Sequence, residues 1–142
     1  MKLFTVIILL FILVNSSSVN AQRNLETYII GEWKPVKSYD MGSVVPQDSK
    51  QTIEDFQKKF LQSRFVFLAD HKFSFTGPIA DMNITNGHWK ILKDNGEIVI
   101  HDWKYKDKPG PLLMRITVLI KDGKTVFMLE ETFFAFEMEK IK

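Results

Sequence analysis

Residues 31–36 read GEWKPV and residues 87–92 read GHWKIL, so the chain twice carries Gly-x-Trp-Lys, one further residue and an aliphatic residue. The glycine lacks a side chain, which lets another backbone approach closely beside a bulky indole. A loop and a helical pattern follow the first copy, whereas a tight turn follows the second, so the repeat does not indicate an internal duplication. It predicts two β-strands, each with a tryptophan packed at its start: Trp33 in the first strand and Trp89 in the second.

The first residues have the layout of a secretory signal peptide. Lys2 precedes an apolar run from Leu3 to Val14, and a polar segment ending in VNA follows. The run is shorter than the roughly 20 residues that a membrane-spanning helix needs, and Val19 and Ala21 are small residues where a signal peptidase reads. We therefore predict cleavage after Ala21, an exported protein that is periplasmic or secreted, and one domain over residues 22–142. An uncleaved membrane anchor is the alternative.

The composition excludes several kinds of site. No cysteine is present, which excludes disulfides, thiolate zinc sites and thiol nucleophiles. There are 19 Lys and Arg against 17 Asp and Glu, and removal of the leader with its Lys2 brings the formal net charge to +1. This balance argues against binding of nucleic acid or of acidic membranes. Ten of the 12 phenylalanines lie after the leader, and with three tryptophans and three tyrosines they are a large apolar content for one small domain. We expect part of it to line a cavity in a monomeric protein.

One segment has helical periodicity. In SKQTIEDFQKKFLQS (49–63), the apolar residues Ile53, Phe56, Phe60 and Leu61 form one stripe, and charged residues occupy the opposite face. Ser49 and Thr52 are both candidates for the N-cap. The segment predicts a helix directly after the first strand and a polar loop.

The remainder alternates as β-strands do. The first strand is predicted over Gly31–Tyr39, and later strands follow each other as hairpins, including a type I′ turn at Asp94-Asn95-Gly96. Leu112–Lys121 is one strand, and a bend or bulge, or a division into two strands, is expected at Glu130-Glu131 in the long stretch after it. Consecutive hairpins favour a meander that closes on itself, because closure removes exposed strand edges. The prediction is a mainly β fold, an antiparallel up-and-down barrel of seven or eight strands with one helix.

These segments also resemble a known family. GEWKPV is similar to the Gly-x-Trp signature of the lipocalins and their calycin relatives, and FVFLADHKFSFTG followed by GHWKIL and DNGEIVIH resembles the small lipocalin-like exported domains of Bacteroidetes-type bacteria. The resemblance spans residues 31 to about 136. It implies a barrel in which Trp33, beside Gly31, plugs one end. In lipocalins an arginine often packs against this tryptophan. The last segment of this chain contains only Lys140 and Lys142 as candidates for that role. The Arg-x-Tyr pair with which fatty-acid-binding proteins hold a carboxylate is absent.

The barrel predicts an apolar interior as the ligand site, since binding pockets are concave and mostly apolar with few polar groups. Arg115, His101 and Tyr105 are the candidate polar groups, on the expectation that His101, Trp103 and Tyr105 continue one strand face from Val99. Met114, Met128 and Met138 add adaptable apolar surface. The alternative is that the aromatic residues form an ordinary core. The full set of predicted ligand-binding residues is Phe65, Phe67, Phe73, Phe75, Trp89, His101, Trp103, Tyr105, Arg115, Phe134 and Phe136.

No pattern in the sequence supports catalysis or a metal. His71, His88 and His101 lack the short spacing of metal ligands, and adjacent His101 and Asp102 project to opposite faces of a strand. We therefore predict no metal, no cofactor and no enzymatic activity. The favoured function is binding of a small apolar or amphipathic molecule. An exported interaction or inhibitor module that uses the barrel rim or the helix is the second candidate, and a barrel enzyme is the third.

Overall fold

The computed structural model describes residues 24–40, 50–79, 81–92, 96–130, 132 and 134–142, and the predicted signal peptide lies outside them. Two α-helices are described, α1 (24–29) and α2 (Lys50–Phe60). None of the described helices is long and apolar enough to cross a membrane. The eight strands are β1 (Gly31–Asp40), β2 (Arg64–Phe67), β3 (Lys72–Thr76), β4 (Ile84–Ile91), β5 (Glu97–Asp102), β6 (Leu112–Lys121), β7 (Lys124–Leu129) and β8 (Phe134–Lys140).

The strands form a closed antiparallel barrel in chain order, which confirms the predicted fold class. Each strand pairs with its neighbours in sequence, and β8 returns to pair with β1 from Trp33↔Lys140 to Asp40↔Phe134. The period of two along each strand sends alternate residues into the barrel. In β2 and β3 the burial alternates in this way, with Phe65, Phe67, Phe73 and Phe75 inside. The expected interruption near Glu130 divides the last stretch into β7 and β8.

Helix α1 and Trp33 close the end of the barrel at which β1 begins. Trp33 is 2% exposed, and its indole Nε1 donates to the Ile29 carbonyl oxygen at 2.8 Å. Lys140 Nζ lies 5.3 Å from the centroid of the Trp33 ring and donates to the Tyr28 carbonyl oxygen at 2.8 Å. Of the two terminal lysines, Lys140 is therefore the cation that covers this tryptophan.

Helix α2 closes the opposite end. Its apolar stripe faces the barrel, where the fully buried Phe60 ring stacks on Phe136 with centroids 4.3 Å apart. Phe56 lies 5.8 Å from both Phe60 and Phe134. Thr52 lies inside the first turn rather than at the cap, and the other predicted cap, Ser49, is outside the described residues. Helix α2 closes this end of the barrel because its aromatic side chains, Phe60 and Phe56, pack against aromatic residues of the strands.

Two local predictions are wrong. Trp103 and Tyr105 do not continue β5 but form a short 3₁₀-helix, Trp103–Tyr105, because the Asp102 side chain accepts a hydrogen bond from Lys104 N at 3.0 Å and caps a helical turn. Trp89 does not begin its strand, since β4 starts at Ile84 and pairs there with Phe75. The predicted turn residues Asp94 and Asn95 lie outside the described part of the chain. Gly96 beside them has φ +67° and the β4–β5 hairpin is present.

Candidate functional site

The barrel interior is filled by its own aromatic side chains. Phe65 and Phe75 have ring centroids 4.9 Å apart, Phe67 and Phe73 also lie at 4.9 Å, and Phe65 contacts Phe127 at 5.6 Å. A side chain with no accessible surface touches no space large enough for a water molecule, and these rings are 0–2% exposed. Phe136 is likewise fully buried, and Phe134, at 8%, lies at the α2 end. A ligand inside the barrel would have to displace these side chains, so their role as a ligand lining stays a prediction that requires opening of α2.

Trp89 is held at the same barrel end as Trp33. Its ring is fully buried, and Nε1 donates to the Leu68 carbonyl oxygen at 3.0 Å in the turn after β2. The His71 ring stacks on it at 4.5 Å, and His71 Nε2 lies 2.9 Å from Glu26 Oε1 of α1. The two Gly-x-Trp segments therefore share a local arrangement in which an indole N–H is satisfied by a backbone carbonyl near the barrel end.

The predicted polar groups are not brought together at a cavity mouth. His101 Nδ1 lies 3.0 Å from the Pro111 carbonyl oxygen. Arg115 is on the outer wall, where Nε lies 2.8 Å from Glu97 Oε1 and Nη1 lies 3.5 Å from Glu130 Oε2. The shorter of these is a charge contact rather than an aligned hydrogen bond. Among the residues that the structure describes, no three His, Asp or Glu side chains converge as a metal site.

A groove of about 410 Å³ runs along the outside of the barrel, over β7 and its neighbours. Its floor lies where Ala135 is paired on one side with Met128 and on the other with Tyr39. A small side chain between two large ones leaves a depression in the outer wall. Lys121 and Lys124 stand at the β6–β7 turn that bounds one end. We call this feature the outer groove; its lining residues are Tyr39, Leu119, Lys121, Asp122, Lys124, Val126, Met128 and Ala135.

A hydrogen-bonded pair organises one wall of the outer groove. Tyr39 Oη donates to Glu137 Oε2 at 2.7 Å, and Lys124 Nζ donates to the same oxygen at 3.3 Å. The bond from Tyr39 is the main cause that holds the pKa of Glu137 below its ordinary value, with Lys124 acting in the same direction against the effect of burial. The same bond raises the pKa of Tyr39. The carboxylate is therefore occupied, while Lys121 makes no ion pair among the described residues.

The pair makes stability depend on pH in a direction that can be measured. A carboxyl group with a lowered pKa in the folded state stabilises the fold above its ordinary pKa, and this contribution is lost as the pH falls through the lowered value. We expect Tyr39→Phe to move the pKa of Glu137 back up towards that of a free carboxyl group, as followed by carboxyl ¹³C NMR titration. Tyr28→Phe, which removes a hydroxyl bonded to Thr125 instead, is the control. An unchanged Glu137 titration in Tyr39→Phe would show that the hydrogen bond does not set the shift.

A second depression, of about 390 Å³, lies between the start of β4 and the start of β6. Its lining is mixed: Asp81, Asn83, Thr85, Asn86 and Asp102 are polar, and Met82, Ile84, Leu113 and Met114 are apolar. The lining of the outer groove is more strongly apolar. The outer groove is therefore the better candidate for an amphipathic ligand.

Sequence reasoning missed the outer groove because its residues belong to four strands that only the closed barrel brings together. Of its lining, only Met128 is among the residues that the sequence predicts to face a ligand, and that prediction places it inside the barrel, whereas the structure places it on the outer wall. No single segment of the sequence indicates such a groove. The one local indication is Ala135, a small residue among larger residues that face outward. No protein-family model, no curated protein and no solved structure matches this chain.

Proposed function

We propose that this protein is an exported, lipocalin-like binding protein for a small amphipathic molecule, and that the molecule binds in the outer groove rather than inside the barrel. The ligand class is one with an apolar body and an anionic head such as a carboxylate, sulfate or phosphate. The barrel serves as a rigid wall that presents the groove. Export rests on the leader pattern of the sequence.

The observation that carries the proposal is the apolar groove of about 410 Å³ outside a barrel whose lining rings are fully buried. Small-molecule sites are commonly about 300 to 1,000 Å³ and mostly apolar, with few polar groups that fix orientation. Val126, Met128 and Ala135 supply the apolar floor. Burial of ligand surface there contributes about 25 cal/mol per Å² of apolar area.

Charge at the end of the groove favours an anionic head group. Lys121 has no carboxylate partner among the described residues, whereas the ammonium of Lys124 is shared with Glu137. Lys121 is therefore the residue expected to contact the head group.

Methionine methyl groups distinguish the outer groove from the interior. We expect decyl phosphate, titrated below its micelle concentration, to shift the ¹³C-methyl NMR signal of Met128, which lines the outer groove, and to leave Met138, which is 6% exposed inside the barrel, in place. If the Met138 signal shifts and the Met128 signal does not, the ligand binds inside the barrel. If neither signal shifts, the proposal of small-molecule binding is overturned, and the interaction module remains as the candidate function.

The head-group contact is tested by charge reversal. Lys121→Glu is expected to weaken decyl phosphate binding by about tenfold or more, which corresponds to a loss of about 1.4 kcal/mol. Lys90→Glu makes the same charge change on the exposed face of β4 and is expected to change the affinity by less than about twofold, since a screened charge at a distance contributes little. Equal losses in the two variants would show that only net charge matters.

A further inference from the structure

Lysines are concentrated at the loop between β5 and β6, and each stands over an aromatic ring. Lys106 Nζ lies 4.8 Å from the Trp103 ring centroid, and Lys72 Nζ of β3 lies 5.5 Å from the same centroid. Lys104 and Lys108 lie 5.1 and 5.5 Å from the centroid of Tyr105. Cation–π contacts of this kind hold an ammonium group at a defined place on the surface. We call Lys72, Lys104, Lys106 and Lys108 the lysine array.

The backbone beneath the array is ordered by its own hydrogen bonds. Asp102 caps the 3₁₀-helix, Lys106 N donates to the Trp103 carbonyl oxygen at 3.1 Å, and Lys108 N donates to that of Tyr105 at 3.3 Å. Gly110 packs against the Tyr105 ring, where any side chain would collide: a Cβ would lie 2.2 Å from Tyr105 Cγ. The two rings that carry the array are thus fixed before any partner binds, which lowers the entropic cost of binding.

The array has more positive than negative charge around it. Lys104, Lys106 and Lys108 make no ion pairs among the residues described, and Lys72 pairs with Asp70 at 3.5 Å. His88 packs edge-on against Trp103 at 5.5 Å. Burial lowers its pKa most, the electrostatic influence of His71 and Lys90 lowers it further, and Asp107 opposes them. The four lysines of the array outnumber the aspartates of the same segments, Asp70, Asp102 and Asp107, so the surroundings of Trp103 carry a small net positive charge.

Two exposed leucines follow the array along the chain. Leu112 and Leu113 begin β6 directly after the loop and are 39% and 44% exposed. Large apolar side chains beside lysines and interfacial aromatic residues form the combination found where proteins sit on a membrane surface. A soluble polyanion would use the lysines but would gain nothing from the leucines.

From this placement we infer that the lysine array and Leu112–Leu113 form a docking surface for a bilayer that contains anionic phospholipid. The lysines contact the head groups, and each lysine near the surface raises the affinity by about fivefold. The leucines enter the boundary between head groups and acyl chains. This surface shares no residue with the outer groove, so the inference does not depend on the proposed ligand. The overall charge balance argued against acidic membranes, but a local array acts within a Debye length of about 8 Å, where the sum over the chain does not matter.

Vesicle binding of charge-reversed variants tests this inference. The mature protein is expected to co-sediment with phosphatidylcholine vesicles that contain one-third phosphatidylglycerol, and not with pure phosphatidylcholine vesicles. The variant Lys104→Glu/Lys106→Glu/Lys108→Glu is expected to bind the anionic vesicles about 100-fold more weakly or worse. The matched control reverses the three exposed lysines of α2, Lys50→Glu/Lys58→Glu/Lys59→Glu, and is expected to stay within about threefold of the wild type.

A second variant separates a lipid surface from a soluble anion. Leu112→Ser/Leu113→Ser is expected to reduce vesicle binding by about tenfold while retention on a soluble sulfated polysaccharide is unchanged. Circular dichroism and melting temperature establish that each variant is folded. The inference is overturned if the array and α2 variants lose affinity equally, if the leucine variant binds vesicles as the wild type does, or if the wild type binds the polysaccharide but no vesicles.

Discussion

Gly31→Ala is expected to destabilise the protein by about 3 kcal/mol or more, because two separate effects act at this position. Gly31 has φ +140°, which residues with a side chain rarely adopt. A Cβ at this position would also lie 2.3 Å from the Lys142 carbonyl oxygen. That oxygen accepts from Glu32 N at 3.0 Å, and Ile141 N donates to the Glu32 carbonyl oxygen at 2.7 Å, so the C-terminus must move away from β1. Urea unfolding measures the loss.

Gly123→Ala is the matched control for the backbone effect alone. Gly123 has φ +74° in the β6–β7 turn, but a Cβ there meets nothing within 4 Å. Its alanine variant is expected to lose only about 1 to 2 kcal/mol. Removal of Lys142 from the Gly31→Ala chain should recover part of the difference. If the two alanine variants were equally destabilised, the contact with the C-terminus would contribute nothing.

Phe60→Ala is expected to cost about 3 to 5 kcal/mol in unfolding free energy, as is usual when a fully buried phenylalanine is truncated. Phe60 stacks on Phe136 at 4.3 Å and also lies 5.4 Å from Phe75 and 5.9 Å from Phe65. Its removal leaves a space lined by rings at the α2 end of the barrel. Apolar cavities of this kind stay dry and accept small apolar molecules.

The same variant tests whether the interior can become a ligand site. We expect benzene to raise the melting temperature of Phe60→Ala and to leave that of the wild type unchanged, since only a molecule that binds the native state stabilises it. Phe56→Ala, truncated on the half-exposed part of α2, is the control and is expected to be less destabilised and insensitive to benzene. Stabilisation of the wild type by benzene would show that the packed interior opens on its own. If Phe60→Ala does not fold, Phe60→Leu preserves the same comparison with a smaller space.

Much of the fold could be predicted because its signals are local. The alternation around Phe65, Phe67, Phe73 and Phe75 has the period of a strand whatever surrounds it, and the stripe of α2 has the period of a helix. Because the hairpins follow each other in chain order, a closed meander is the arrangement that leaves no exposed strand edge. The prediction failed at Trp103–Tyr105, where the Asp102 side chain competes for the backbone and turns apparent alternation into a helical turn.

The candidate sites were harder to predict because they depend on distance across strands. Whether an aromatic lining encloses a cavity or a solid core is decided by barrel diameter and by how the rings interdigitate, and the sequence alone left both readings open. In the folded chain, Phe60 from α2 fills the remaining space. The predicted polar groups His101 and Arg115 point to neighbours on the outside, which no count along the chain could reveal.

By itself, the sequence determined the strand and helix periods, the placement of a tryptophan two residues after a glycine, and the succession of antiparallel hairpins, because each of these depends on residues close together in the chain. Only the tertiary structure decided that the interior is packed, that Lys140 covers Trp33, and that Ala135 lies between Met128 and Tyr39 to form the outer groove. The physical reason is that a side chain's neighbours across a barrel are set by pairing register and closure. A shift of one residue would send every one of these side chains to the opposite face.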